Sequence, residues 1–472
     1  MTECKPEQLR FGSIGRRDVV ASFDGGTISS DGGSLLLAQV DQRIGLFDRL
    51  AGCFIDGRAS HLIEHPVRQL VAQRVLALAL GYEDLNDHDT LRRDPLLSAV
   101  AGQADVNGDR RAADQRGCAL AGKSTLNRLE GSADKRGRYK KIVPLLPQMD
   151  ALRLQLFIES FATAPTSLIL DIDATDDPLH DQQEGRFFHG YYGNYCYLPL
   201  YIFCGEQLLC ARLRTADQDG AAGSEEELRR IVGGLRAAWP GVQIILRGDS
   251  GFCRDALLNW CEAEGVDYTL GLAKNARLKR AIGAQAHAAE QMYAQTKQAS
   301  RVFAAFEYRT HRSWSRSRWV EGKAEHLAMG ANPRFIVTTL LARGTAETMD
   351  AQGRDLYEQV YCARGDMENR IKEQQLSLFA DRTSCSAMKA NQLRLYFSSF
   401  AYCLLQAMRR LALSGTEMAT AQCGTLRTKL LKIGARVRVS VRRLWVSLPT
   451  ACPYAAVFIQ AHRRLQRLPL RI

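Results

Sequence analysis

No apolar run in these 472 residues reaches the roughly 18 that a membrane-spanning helix needs. The stretch Leu70–Leu80 is far too short and carries Gln73 and Arg74. The opening MTECKPEQLR lacks the charged and then apolar regions of a secretory leader, so a cytoplasmic protein is expected. None of the 13 cysteines forms a CxxC pair and their number is odd, which argues against a disulfide framework and for a reducing compartment. Cys196, Cys204 and Cys210 fall in a strand-like apolar stretch, where cysteine packs as a small hydrophobe rather than a zinc ligand. There is no Gly-rich dinucleotide fingerprint and no Gly-x-Ser-x-Gly elbow.

Acids are missing from one end of the chain. From Thr425 to Ile472 there are nine Arg and two Lys but no Asp or Glu, so this tail holds nearly all of the formal net charge of +12. Arg436, Arg438, Arg442 and Arg443 form its densest group. Charge this one-sided implies a polyanionic partner, nucleic acid first, bound with a steep dependence on salt.

Two tempting motifs lack their structural context. Gly117–Ser124 matches the phosphate-binding loop pattern, but the preceding GDRRAADQR is no buried strand, so no nucleotide cofactor is expected. His61-Leu-Ile-Glu64-His65 spells an inverted zinc-protease motif, yet Pro66 disfavours helical geometry at His65.

At 46 % apolar, a chain this long can build more than one core. Residues 1–150 read as a mainly helical region: VVASFDGGTISSDGGSLLL suggests a hairpin entering a helix, Pro66–Leu80 reads as an amphipathic helix with Pro66 at its first position and Gln73 and Arg74 on its polar side, and Ser124–Glu130 reads as another helix. From Ser167 strands and helices alternate. Leu168–Asp173 is a strand, and Tyr195–Phe203 with Gln207–Arg214 form a hairpin around Gly205. Ser224–Trp239 is a helix with three Glu at its start, followed by the strand Ile244–Leu246, the helix Asp255–Glu264 and the strand Tyr268–Leu272. This is the ribonuclease-H-like order, an α/β mixed sheet covered by helices. Its first part is placed at 151–275, a β-rich insertion at 276–350, the remainder with a long helical stretch at 351–413, and the basic tail at 414–472.

Three acids stand in settings that suit chemistry. Asp173 ends one apolar strand, Asp249 follows another in IILRGDSGF, and Glu368 lies in the helical YCARGDMENRIKE. Asp171 and Asp173 share a strand face, and Asp173 is the better ligand candidate because it lies at the strand's end. Carboxylates converging from strand ends and a helix repel one another unless a cation offsets the charge. Mg²⁺ takes one or two carboxylates plus waters and phosphate oxygens, and two such ions roughly 3.5–4 Å apart cut phosphodiesters. On a regular helix Tyr361, Arg364, Glu368 and Lys372 fall within about 80° of arc. The plainer alternatives are a turn or cap for each Asp and solvent-exposed i,i+4 ion pairs for Glu368.

Tyr361-x2-Arg364-x3-Glu368 resembles the third-acid signature of the DDE transposases of bacterial insertion sequences, the cut-and-paste group. Asp173-Ala-Thr175 resembles that group's first-acid setting and Asp249 its second, while YEDLNDHD, DATDDPLH, YCYLPLYIFC and LRGDSGFCR together resemble one branch of it. The likeness runs from about Phe23 to Arg410, β-rich insertion included. One departure is Gln375, seven residues after the Glu, where the group has Lys; Lys372 is the nearest cation.

The resemblance implies metal-dependent cleavage at transposon ends and attack of the freed 3′-OH on target DNA. Asp173 and Asp249 would hold a shared Mg²⁺ and Glu368 a second, with Mn²⁺ able to substitute. Tyr361 and Arg364 would position phosphates, and Lys372 would contact one. A homodimer in the bacterial cytoplasm, at the nucleoid, would hold two inverted-repeat ends of double-stranded DNA, with residues 1–150 as the DNA-binding region and the 414–472 tail serving DNA binding or dimerisation. A nuclease or resolvase on the same fold, and a catalytically silent DNA-binding relic, remain as alternatives.

Overall fold

In this computed structural model, residues 7–131, 141–341 and 346–471 are described. The chain divides into two compact units, one of residues 1–146, 376–380 and 397–472, the other of 147–375 and 381–396.

The second unit is built on a nine-stranded sheet. Its strands are β1 (Ser167–Ala174), β2 (Leu200–Cys204), β3 (Gln207–Arg212), β4 (Gln243–Gly248), β5 (Asp267–Leu272), β6 (Ser300–Tyr308), β7 (Arg318–Leu327) and β8 (Arg334–Thr338), with the short Gly330–Ala331 beside β7. The order is β3-β2-β1-β4-β5-β8-β7-β6. β2 runs antiparallel to β1 and β3, whereas β1, β4 and β5 are parallel. That is the ribonuclease-H-like arrangement, with α1 (Ser224–Ala238) and α2 (Asp255–Glu264) as its crossovers. Because β1 and β4 are central, Leu168, Leu170, Ile172, Ile244 and Leu246 are buried in one cluster with Leu228, Ile231 and Leu258 from the helices. α1 begins behind Gly223 in the left-handed region (φ 73°), with Glu225, Glu226 and Glu227 in its first turn, where the helix dipole favours them.

The β-rich segment after β5 does not stand apart from the core. β8 pairs antiparallel with β5, and β7 and β6 follow, so the segment lengthens the same sheet. Two helices, Ala276–Ala281 and Gly283–Thr296, precede it, and residues 342–345 lie outside the described residues.

In the first unit, Leu9–Ile14 pairs with Arg17–Ala21, whereas Ile28–Ser29 pairs with Ala435–Val439. The Gly-Gly turns expected to close a local hairpin therefore lead into a long-range pairing. The helix Val67–Leu80 is buried on every side except at Arg68. Its polar residues are spent internally: Arg74 pairs with buried Glu130 at 2.7 Å, and Gln73 bonds to the Ala121 carbonyl at 2.8 Å. Pro66 is the residue before that helix, so His61 and His65 share no helix, and buried His65 bonds Gln69. At Gly117–Ser124 no strand enters the loop. The backbone N–H of Lys123 donates to Asp89, and its ammonium also pairs with that carboxylate.

Candidate active site

The register of the central strands brings two of the acids together. In the β1–β4 ladder Gly248 stands opposite Ile172, so Asp249, the next residue, lies beside Asp173. Gly248 permits this close approach, since a Cβ there would come within 2.8 Å of the Ile172 side chain. Asp249 begins a short turn, and its Oδ1 accepts the Gly251 N–H at 2.8 Å, which fixes the carboxylate's orientation. The cap role considered from sequence is thus real, and it uses one oxygen.

The third acid rides on an irregular helix. Leu356–Tyr361 is a π turn, Cys362–Arg364 a 3-10 turn and Gly365–Lys372 α-helical, followed by a second π turn at Glu373–Ser377. The regular 80° arc expected from sequence does not describe this segment. The tight turn instead eclipses Tyr361 and Arg364, three residues apart. The Arg364 guanidinium then reaches Asp173 Oδ2 at 3.3 Å and Glu368 Oε1 at 3.5 Å, and its charge opposes the rise that burial gives the Tyr361 phenol.

Electrostatics follow from this geometry. Burial, and then the neighbouring Asp249 charge, push the Asp173 carboxyl up to about 6, with Arg364 acting against them and Glu368 adding to them. Glu368 is half exposed. Among the described residues no three His, Cys, Asp or Glu side chains close on one point as a finished metal cage. Even so, the donor set fits divalent cations: three carboxylates supply hard oxygens, and a cation relieves both the burial of charge and the repulsion from Asp249 that raise Asp173.

Two residues not singled out from sequence complete the architecture. Arg247 stands opposite Asp171 in the β1–β4 register and binds it through two bonds of 2.5 and 2.7 Å, both side chains being buried. Asp171 is thereby engaged by Arg247. The third Arg247 bond, 2.5 Å to the Val360 carbonyl, ties the sheet to the turn just before Tyr361. The signal available in the sequence was an Asp and an Arg each embedded in an apolar strand. Gly271 on β5 is the second residue: a Cβ there would lie 2.7 Å from the Tyr361 hydroxyl and 2.8 Å from the Ser250 nitrogen.

The other candidates are dispersed. Lys372 is exposed, one helical turn beyond Glu368. Gln375 turns away, donating to Asp177 at 2.9 Å and to the Asp176 carbonyl at 3.3 Å. Asp177 is fully buried, and burial pushes its carboxyl well above the usual range, so a neutral amide suits it. In the first unit, Arg436 and Arg438 alternate outward on Ala435–Val439 beside Trp445, with Arg442 and Arg443 exposed in the following turn. Not every tail cation is on the surface. Arg427 donates to the carbonyls of Leu78, Ala79 and Ser377, and Lys432 pairs with buried Asp31 at 2.8 Å.

The family model described as transposase DDE domain group 1 matches residues 11–470. Among solved structures, a cryo-EM structure of the piggyBac transposase synaptic complex with hairpin DNA is similar at 10 % identity, covering 93 % of this chain and 83 % of that one, with a TM-score of 0.40. Comparison with curated proteins gives no match. No described helix is long and apolar enough to cross a membrane.

Proposed function

The chain belongs to the DDE transposases of group 1, enzymes that cleave DNA and transfer its strands with divalent metal ions, and from that membership we propose that Asp173, Asp249 and Glu368 are its catalytic carboxylates. The observation that carries the assignment is the Arg364 guanidinium bridging Asp173 and Glu368, with Asp249 close enough to raise Asp173. A positive group already sits among these acids, which marks the spot as one that attracts cations.

Asp173 and Asp249 would hold one Mg²⁺ and Glu368 a second, Mn²⁺ serving in their place. Bound there, such a pair supplies charge stabilisation to the attacking and leaving oxygens of an in-line displacement. The protein's own groups do the rest. Asp249 presents its second oxygen in a direction set by the Gly251 bond. Arg364 offers a planar fork that suits a phosphate as well as it suits carboxylates. The Tyr361 hydroxyl, seated over Gly271, orients a phosphate oxygen, and Lys372 meets a flanking phosphate.

The DNA reading extends to residues 1–150 and the 414–472 tail, which bind transposon ends, the tail through Arg436, Arg438, Arg442 and Arg443. The grouping of 397–472 with 1–146 supports giving both stretches one task. A homodimer holding two inverted-repeat ends in the bacterial cytoplasm completes the reading.

Counting bound Mn²⁺ by electron paramagnetic resonance tests the assignment. With a DNA end present, the wild type should bind two ions, and Asp173→Asn, Asp249→Asn and Glu368→Gln should each lose at least one while keeping the wild-type thermal midpoint. Undiminished Mn²⁺ binding in all three variants would remove these residues from the metal site.

A further inference from the structure

Beyond Ala174, the last residue of β1, the chain leaves the large sheet and forms a small hairpin that the catalytic assignment does not use. Phe187–His189 pairs with Asn194–Tyr197, and Asp177–Pro178 lies on the other side of the latter. Four aromatic side chains within nine residues are open to solvent here: Phe187 is 42 % exposed, Phe188 57 %, Tyr191 86 % and Tyr195 44 %. Single exposed aromatics are ordinary, but a group of this density marks a contact surface.

The register shows how the group is arranged. Phe188 stands opposite Tyr195, so both project from the same face, with ring centroids 5.5 Å apart. The Arg186 guanidinium lies over the Tyr195 ring at 3.8 Å. Tyr191 extends the surface at the tip, edge-on to Tyr192 at 5.0 Å. Tyr192 in turn packs inward against the cluster of Cys196, Leu198 and Ala216, which Ala174 also joins. The tip is therefore fastened to the residue that follows Asp173.

We infer that Phe188, Tyr191 and Tyr195, with Arg186, form a stacking platform for an unpaired nucleobase of the DNA end held at Asp173. The composition selects this occupant. Flat rings interleaved with a cation match a base beside its phosphate, and aromatic faces accept any base without sequence preference. Placement agrees, because a DNA strand reaching Asp173 passes the hairpin anchored next to it. The inference rests on the assignment of Asp173 to the cleavage site.

The test uses the full chain and two probes, a blunt duplex and the same duplex with a short single-stranded overhang containing 2-aminopurine. Wild type should favour the overhang and quench its fluorescence. Phe188→Ala and Tyr191→Ala should bind the overhang about 5- to 150-fold more weakly, the range of one lost base stack. Blunt-duplex affinity and salt slope should not change, and Met329→Ala, at a fully exposed apolar side chain in the turn after β7, should behave as wild type. Equal binding of both probes by wild type would overturn the platform while leaving the transposase reading intact; binding of neither would bring both down. If sedimentation showed Tyr191→Ala splitting a wild-type dimer with DNA binding unchanged, the occupant would be a second copy of the chain and the inference wrong.

Discussion

Replacing Arg247 with Met separates its two jobs. Methionine keeps much of the apolar stem but leaves the Asp171 carboxylate, 1 % exposed, without its counter-charge and the Val360 carbonyl without its donor. Breaking a buried pair by removing one partner costs about 3–5 kcal/mol. An independent bound comes from protonation. Asp171 can escape by taking up a proton, and lifting a carboxyl from 3.8 to neutral pH costs about 4 kcal/mol at ~1.36 kcal/mol per unit. The two estimates agree, so the catalytic unit should lose roughly 4 kcal/mol at pH 7.

The sign of the pH dependence follows. Burial already raises Asp171 above its ordinary value despite Arg247, so the folded protein binds this proton more tightly than the unfolded chain does. A carboxyl raised in the folded state favours folding when protonated, and its contribution falls as pH climbs from the ordinary value through the raised one. Without Arg247 the rise is larger. The stability gap between variant and wild type should therefore shrink on going from pH 7 to 5, by up to ~1.36 kcal/mol per unit. Urea unfolding followed by tryptophan fluorescence reads this well, since Trp239, Trp260, Trp314 and Trp319 lie in this unit and only Trp445 lies outside it. Adding Asp171→Leu should recover most of the stability, yet hydrogen exchange over 356–372 should stay fast because the Val360 tether is still gone. A gap that is constant or widens toward pH 5, or unchanged exchange in 356–372, would refute this reasoning.

Cation affinity should rise with pH and level off above about 6, as the proton on Asp173 is displaced, and Asp249→Asn should move that midpoint down; Mn²⁺ titrations between pH 5 and 8 check it. Gly271→Ala should press on the Tyr361 hydroxyl and cost about 1–3 kcal/mol of stability. Adding Tyr361→Phe should return part of it, whereas no recovery in thermal melts would place the clash elsewhere. Neutralising Arg436, Arg438, Arg442 and Arg443 should flatten the salt dependence of DNA binding by about 0.9 in log–log slope for each phosphate that the protein no longer neutralises. An unchanged slope would remove that strand and turn from the DNA interface.

The central strands were legible because burial on both faces leaves uninterrupted apolar runs, and the acids at their ends were legible for the same reason. Pairing between distant segments was not. Nothing local in RFIVTTLLA says that β8 joins β5, or that Ile28 meets Arg436 rather than its neighbours. Polarity misled at Val67–Leu80, where Gln73 and Arg74 looked like a solvent face but find buried partners. The π and 3-10 turns around Tyr361 escaped a reading that assumes 3.6 residues per turn, and with them went the Arg247 tether to Val360. Gln375 could be seen as a departure from the family pattern, but only the fully buried Asp177 explains what the amide does.

The most direct measurement compares wild type and Glu368→Gln on DNA taken from both sides of the gene, with Mg²⁺ and a target plasmid. Glu368 is half exposed, so the change should leave the fold and DNA affinity as they are. The wild type should cut at defined ends and join them to the plasmid, and Glu368→Gln should bind the same DNA but neither cut nor join. Cleavage and joining by Glu368→Gln at the wild-type rate would contradict the assignment of the three acids.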